Sequence, residues 1–304
     1  MSRILLAVSY VVFVAATVYS QDRIARTTDG QTVILQKNGT WYFVHGTPLE
    51  DCKATTFDGH VFNLSKDGKW SSTNTVESPP AQYQNSYRQS ERTYSSSVGN
   101  LTISYSSEEA NGSASVYVPA SVKSDPARPR PVMLLLDPGG DAAANVARWL
   151  QAADRFRWII ASTPAIKNGT DSSVIRQHLL VLLDAVAIRW SVDRNVVMLE
   201  GFSGGGCAAY RQVLMHPDIF RGAVVECGHM GPYMDLKDQI RPGSCFYLAT
   251  RNHDFNEQQM RRLAVALENS GETVKFNELP GGHAPISGAD AEDALEWISG
   301  GVIR

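Results

Sequence analysis

The chain has 304 residues, of which 43% are hydrophobic and 19% charged, with a formal net charge of −3. That length holds one mid-sized domain plus something smaller, and the near-neutral balance leaves no basic footprint for nucleic acid or an anionic membrane surface. Four cysteines in such a length exclude a disulfide scaffold.

Residues 1–20 read as an export signal. Arg3 supplies a positive start, residues 4–19 form an apolar run, and Val18 and Ser20 suit the small-residue positions before a cleavage at Gln21. The run is shorter than the ~20 residues a spanning helix prefers. The expectation is a secreted or periplasmic chain, outside the cytoplasm, with no stable membrane span after cleavage.

Residues 21–72 carry an internal repeat. "TTDGQTVILQKNGTWYF" (27–43) returns as "TFDGHVFNLSKDGKWSS" (56–72) at a constant offset of 29. Each unit reads as strand, Asn-Gly or Asp-Gly turn, strand, which predicts a small β-hairpin module. Trp41 and Trp70 occupy equivalent positions. Packed together they would form core; exposed side by side they would form a stacking platform for a polymer. The module holds no nucleophile, metal cluster or phosphate loop, so a structural role or anchoring to a surface or polymer is expected. Residues 73–98, rich in Ser, Thr, Gln, Pro and Tyr without apolar periodicity, read as a linker.

From 99 to 304 strands and helices alternate. Two antiparallel candidates (101–106 and 113–119) precede apolar strands at 131–137, 157–163, 195–201, 222–228, 245–251 and 273–279. Helices are predicted near 143–153, 172–190, 256–270 and 289–299, with another after Ser203. This pattern predicts an α/β fold with a mainly parallel, doubly wound sheet, whose sites form at the carboxyl ends of strands.

At one such end stands "GFSGG": Gly201, Phe202, Ser203, Gly204 and Gly205. The G-x-S-x-G pattern between strand and helix fits a nucleophile elbow, with Ser203 raised at a tight turn. A serine hydroxyl needs a base, and only His283, in "LPGGHAPIS", lies beyond residue 253 in a loop after the last strand. The orienting acid is best placed at Asp254, just past the preceding strand, with Glu226 as the competing carboxylate. For the oxyanion, Gly204 opens the following helix, and Gly139 and Gly140 in "LDPGGD" allow a loop to turn amides inward. Phe202, His229, Met230, Tyr233 and Phe255 are expected to line the cleft. Cys207 and Cys227 lie near enough along the fold either to pair or to remain buried thiols. No clustered His/Cys/Asp set with ligand spacing appears, so neither metal nor organic cofactor is expected.

These motifs resemble the α/β-hydrolase fold over residues 100–304. The chain is similar in particular to small members near dienelactone hydrolase and to polyhydroxybutyrate depolymerase and feruloyl esterase-like enzymes. The resemblance rests on G-F-S-G-G, the D-P-G-G loop, the Asp after the penultimate strand and G-G-H after the last. It departs at Asp137-Pro138, where esterases of this fold often have His-Gly. It implies a secreted serine hydrolase that cleaves a small-molecule or polymeric carboxylic ester through an acyl-enzyme. A prolyl-oligopeptidase-type peptidase uses the same three residues but carries a large gating domain. A non-catalytic surface-binding protein on this scaffold would not need all three.

Overall fold

The computed structural model describes residues 23–27, 32–35, 41–43, 51–56, 60–76, 94–238, 240 and 242–302. The expected export segment and most of the expected linker lie outside these residues. Contacts divide the chain into two units, Met1–Arg92 and Thr93–Arg304. No helix among the described residues is long and apolar enough to cross a membrane.

The N-terminal unit is a six-stranded antiparallel sheet of strands β1 (Arg23–Thr27), β2 (Thr32–Leu35), β3 (Trp41–Phe43), β4 (Cys52–Thr56), β5 (His60–Leu64) and β6 (Trp70–Val76). Their order is β3-β2-β1-β4-β5-β6. Each repeat is therefore a three-stranded meander rather than a hairpin, because β1 and β4 precede the Asp-Gly turns, and β6 continues past residue 72. At the centre Arg26 pairs with Thr55, flanked by Ala25↔Thr56 and Thr27↔Ala54. Arg26 and Thr55 are equivalent at the offset of 29, so a local two-fold axis relates the repeats. Val33, Leu35, Trp41, Ala54, Phe62 and Leu64 form the core of this unit, with Trp70 packed against them. The two tryptophans are not an exposed pair. Trp41 is buried, its Nε1 donates to the Ser65 carbonyl at 2.9 Å, and Trp70 meets Phe62 edge-on.

The C-terminal unit is an eight-stranded sheet of order β14-β13-β12-β11-β9-β10-β8-β7. Its first two strands, β7 (Gly99–Ser106) and β8 (Asn111–Val118), pair antiparallel, and β8 joins β10 (Ile159–Ser162) antiparallel. All other neighbours are parallel: β9 (Arg130–Leu136), β10, β11 (Val192–Phe202), β12 (Gly222–Glu226), β13 (Cys245–Arg251) and β14 (Thr273–Leu279). This is the mainly parallel, doubly wound sheet expected from the sequence.

The alternation along β9 shows why both faces are covered. Val132, Leu134 and Leu136 join one core, while Met133 and Leu135 join the other. Helix α3 (Ser172–Arg189) presses Ile175, Leu179, Leu182, Leu183 and Val186 onto the first face, a spacing of three to four residues that marks one helical stripe. Helices α4 (Gly204–Met215) and α6 (Glu257–Asn269) pack on the same side, and α7 (Ala289–Trp297) on the other. A short helix α5 (Gly231–Leu236) follows β12.

The helix predicted over 143–153 is two helices, α1 (Ala142–Ala147) and α2 (Leu150–Phe156). The break falls at Arg148, whose guanidinium leaves the helix surface to meet the buried Glu200 and Glu226. Arg148 keeps helical φ and ψ, so the ion pairs accompany the break without accounting for it.

Candidate active site

Ser203 follows the end of β11 and N-caps α4 with φ 54° and ψ −120°, a conformation that L-residues avoid. Its amide donates to the Glu226 carbonyl at 2.7 Å, which holds the turn against the neighbouring strand. The chain can bend this sharply only with small neighbours. A Cβ on Gly205 would fall 2.0 Å from the Leu136 carbonyl oxygen.

The acid and base loops lie together because β13 and β14 are paired neighbours with Arg251 opposite Leu279. Beyond that register the main chain continues the lacing, with Asn252 N–H on the Leu279 carbonyl and His253 N–H on Gly281, each at 2.9 Å. This brings three side chains into line. His283 Nε2 lies 3.0 Å from Ser203 Oγ, and His283 Nδ1 lies 2.6 Å from Asp254 Oδ2. The Asp254 side chain is completely buried, and its other oxygen accepts from the Asn256 amide at 2.6 Å. Such a line can pass a proton from the hydroxyl to the imidazole, with the carboxylate holding the ring's tautomer.

The His283 imidazole also carries aromatic partners. Phe255, 75% exposed, stacks on it with centroids 4.3 Å apart, and Phe202 packs at 4.7 Å.

No protein-family model matches the sequence, and no curated protein matches it either. Solved structures do match in shape. S-formylglutathione hydrolase from Staphylococcus aureus superposes with a TM-score of 0.53 at 16% identity, covering 70% of this chain and 99% of that one. A CE1 ferulic acid esterase from Anaeromyces mucronatus gives 0.54 at 14%, covering 70% and 96%. The C-terminal unit has the α/β-hydrolase fold. A dipeptidyl aminopeptidase IV-type protein from Bacteroides ovatus gives 0.52 at 17%, covering 90% of this chain and 43% of that one.

Within this α/β-hydrolase unit some expected site residues stand elsewhere. Gly204 opens α4, where the first amides have no intrahelical partner and face the positive end of the helix dipole. The Gly139–Gly140 loop does not offer its amides in the same way. Gly139 N–H donates to Asp137 Oδ1 at 2.8 Å, Gly140 N–H to the Asp137 carbonyl at 3.2 Å, and Asp141 N–H to Asp137 Oδ1 at 2.9 Å. The Asp that stands in place of His-Gly thus occupies the donors assigned to the oxyanion, and neither glycine supplies one in this arrangement. The Asn168 amide bonds the Pro138 carbonyl at 3.0 Å, and its carboxamide lies against Gly204, where a Cβ would meet Oδ1 at 2.0 Å. Asn168 therefore stands against the first residue of α4; in the sequence it is marked only as an Asn-Gly-Thr glycosylation pattern, which says nothing of this contact.

The remaining lining residues divide. His229 Nδ1 accepts from the Gly231 amide at 3.0 Å, tying the ring to its own turn. Tyr233 is turned away from the cleft: its hydroxyl bonds Ala266 and Ser270 at the carboxyl end of α6. Met230 packs against the core. Glu226, the competing acid, accepts from Arg148 and from the Ile286 amide at 2.8 Å, not from His283. Its neighbour Glu200 is held well above the ordinary carboxylate range by burial and then by the Glu226 charge.

No disulfide joins Cys207 and Cys227. Cys207 Sγ accepts from the His229 amide, and Cys227 Sγ faces the Ala284 carbonyl. Cys227, Asp254 and His283 nonetheless bring a sulfur, an oxygen and a nitrogen within 4.8 Å of one another, a set able to hold a metal ion. Burial, and then Asp254, push the Cys227 thiol up to about 12, so at neutral pH it is a protonated thiol. The imidazole is already engaged at both nitrogens.

Proposed function

We propose that the chain is an exported serine hydrolase that cleaves a carboxylic ester through an acyl-enzyme. The observation that carries this reading is the line from Ser203 Oγ through His283 to buried Asp254, at 3.0 and 2.6 Å. Ser203 attacks the carbonyl as His283 takes its proton. The tetrahedral oxyanion forms beside the Gly204 amide. His283 then returns the proton to the leaving alcohol, and a water deprotonated by the same imidazole releases the acid.

Small soluble esters suit the cleft, because exposed Phe255 and half-buried Phe202 give a short apolar wall around the base. Matched structures named as S-formylglutathione hydrolase and ferulic acid esterase support an ester or thioester over other acyl groups. The dipeptidyl aminopeptidase likeness supports a peptidase as the second reading, since it alone of these three extends over 90% of the chain. In the first reading the N-terminal sheet anchors the enzyme to a surface or polymer.

The test is a panel of p-nitrophenyl esters of graded acyl length beside aminoacyl-nitroanilides. Turnover of esters with none of the anilides is expected. Cleavage confined to the anilides would replace the esterase reading with the peptidase one.

A further inference from the structure

The base of the proposed relay sits in a segment with no regular structure. Pro280 to Ser287, between β14 and α7, belong to neither helix nor strand. A loop of this kind has no ladder to fix it, yet the relay requires His283 Nε2 to stay within hydrogen-bond reach of Ser203. The carbonyls of this loop are instead taken up by two guanidinium groups from other elements.

Arg251, the last residue of β13, spends all three of its nitrogens on the loop. Nη1 donates to the Pro280 carbonyl at 2.8 Å, Nε to Ala284 at 3.0 Å and Nη2 to Pro285 at 2.9 Å. These acceptors lie on both sides of His283 in the chain. Among the described residues Arg251 has no ion-pair partner, so its planar fork serves the loop alone.

Arg148 holds the next residue, with Nη1 on the Ile286 carbonyl at 2.9 Å. The Ile286 amide donates to Glu226 Oε2, which also receives Arg148 Nη1 at 3.0 Å. Glu226 is the same residue whose main-chain carbonyl holds the Ser203 amide at 2.7 Å. One buried residue thus grips the nucleophile's backbone with its main chain and the base's loop with its side chain.

We propose that Arg251, with the Arg148–Glu226 pair behind it, is a positioning residue that sets the distance between His283 and Ser203. The proposal rests on the reading of Ser203, His283 and Asp254 as the catalytic relay. A misplacement of about 1 Å can cost about 100-fold in rate. Arg251→Ala should therefore lower kcat by about 10- to 100-fold while KM stays within about twofold, and fluorophosphonate labelling of Ser203 should slow by the same factor. Arg251→Lys, which can reach some of the three carbonyls, should recover part of the loss.

Rates are read per folded molecule, from the cooperative melt of each variant. Loss in proportion to the unfolded fraction, or kcat and labelling within about twofold of wild type, overturns the proposal. Ser203→Ala in the same assay separates the two readings. If it is inactive while Arg251→Ala turns over normally, only the clamp is wrong. If Ser203→Ala keeps full turnover, the relay fails and the clamp with it.

Discussion

The two units of this chain are both built on β-sheets, of six and eight strands, but their strands pair in opposite senses. In the N-terminal sheet every neighbour is antiparallel, so successive turns alternate between the two ends and no end collects them all. In the C-terminal sheet β9 to β14 run parallel, and every one of their carboxyl ends opens along the same edge. Asp137, Ser203, Asp254 and His283 stand just past β9, β11, β13 and β14, so residues far apart in the chain share one edge. The antiparallel unit repeats its own pattern about a local two-fold axis and gathers a core. The parallel unit gathers a core and a set of converging loops. A common strand direction brings the loops of several strands to one edge, and the proposed site lies there.

The sharpest way to break this contrast is to remove the proposed nucleophile. Ser203→Ala should lower ester turnover by roughly 10⁴- to 10⁶-fold and abolish fluorophosphonate labelling. Because Ser203 sits at φ 54°, Ser203→Gly should also melt higher than wild type, by about 1 kcal/mol of relieved strain. A labelled serine elsewhere would move the site off this edge.

Asp254→Asn should keep the fold and lose about 10³- to 10⁴-fold in kcat through a misoriented imidazole. Glu226→Gln should lower stability and, through the Ile286 loop, kcat by about tenfold at most, far less than Asp254→Asn, because the carboxylate bonds Arg148 and Ile286 rather than the imidazole. The reverse result, an inert Glu226→Gln protein beside a normal Asp254→Asn one, would assign the acid to the wrong strand end.

A smaller effect is expected away from the site. Burial raises the Glu272 carboxyl to about 7, against the pull of the Ser244 and Gly243 amides. The unfolded chain releases this proton near 4.5 while the folded chain retains it to about 7, so wild-type stability falls as pH rises through that window. Glu272→Gln, which never ionises, should gain on wild type by at most about 3 kcal/mol at pH 8. The advantage should shrink toward pH 4. Thermal melts at the two pH values measure it, and an equal gap at both contradicts the assignment.

The smallest effect tests the independence of the two units. A chain starting at Thr93 should hydrolyse small soluble esters within about twofold of the full chain. One starting at Val98 loses the Ser95 amide on Arg189 and the Ser97 carbonyl on Trp190 Nε1, and should be less stable by about 1 to 3 kcal/mol. Loss of small-ester turnover in the longer of these chains would make the repeat sheet part of the hydrolase.

The sequence by itself determined the strand order along the chain, the tight turn at Ser203 and the placement of Ser203, Asp254 and His283 just past successive strands. These depend on local patterns: apolar runs for two-sided strands, glycines where backbones touch, and a carboxylate and a histidine just past successive strands. It also determined the repeat, although the strand preceding each Asp-Gly turn has too little alternation to announce itself. Tertiary structure decided the rest. Arg148 meets the buried Glu200 and Glu226, residues far from it in the chain that only the folded sheet makes its neighbours. Asp137 takes the amides of a loop whose glycines suggested an oxyanion site, because a side chain's choice of donor depends on the fold of a turn and not on its composition. Tyr233, near the site in sequence, turns to α6 for its hydroxyl's partners. Arg251 bonds main-chain carbonyls, which every residue carries and no motif can mark. Periodicity is written residue by residue, whereas the choice of a hydrogen-bond partner is made only when distant segments meet.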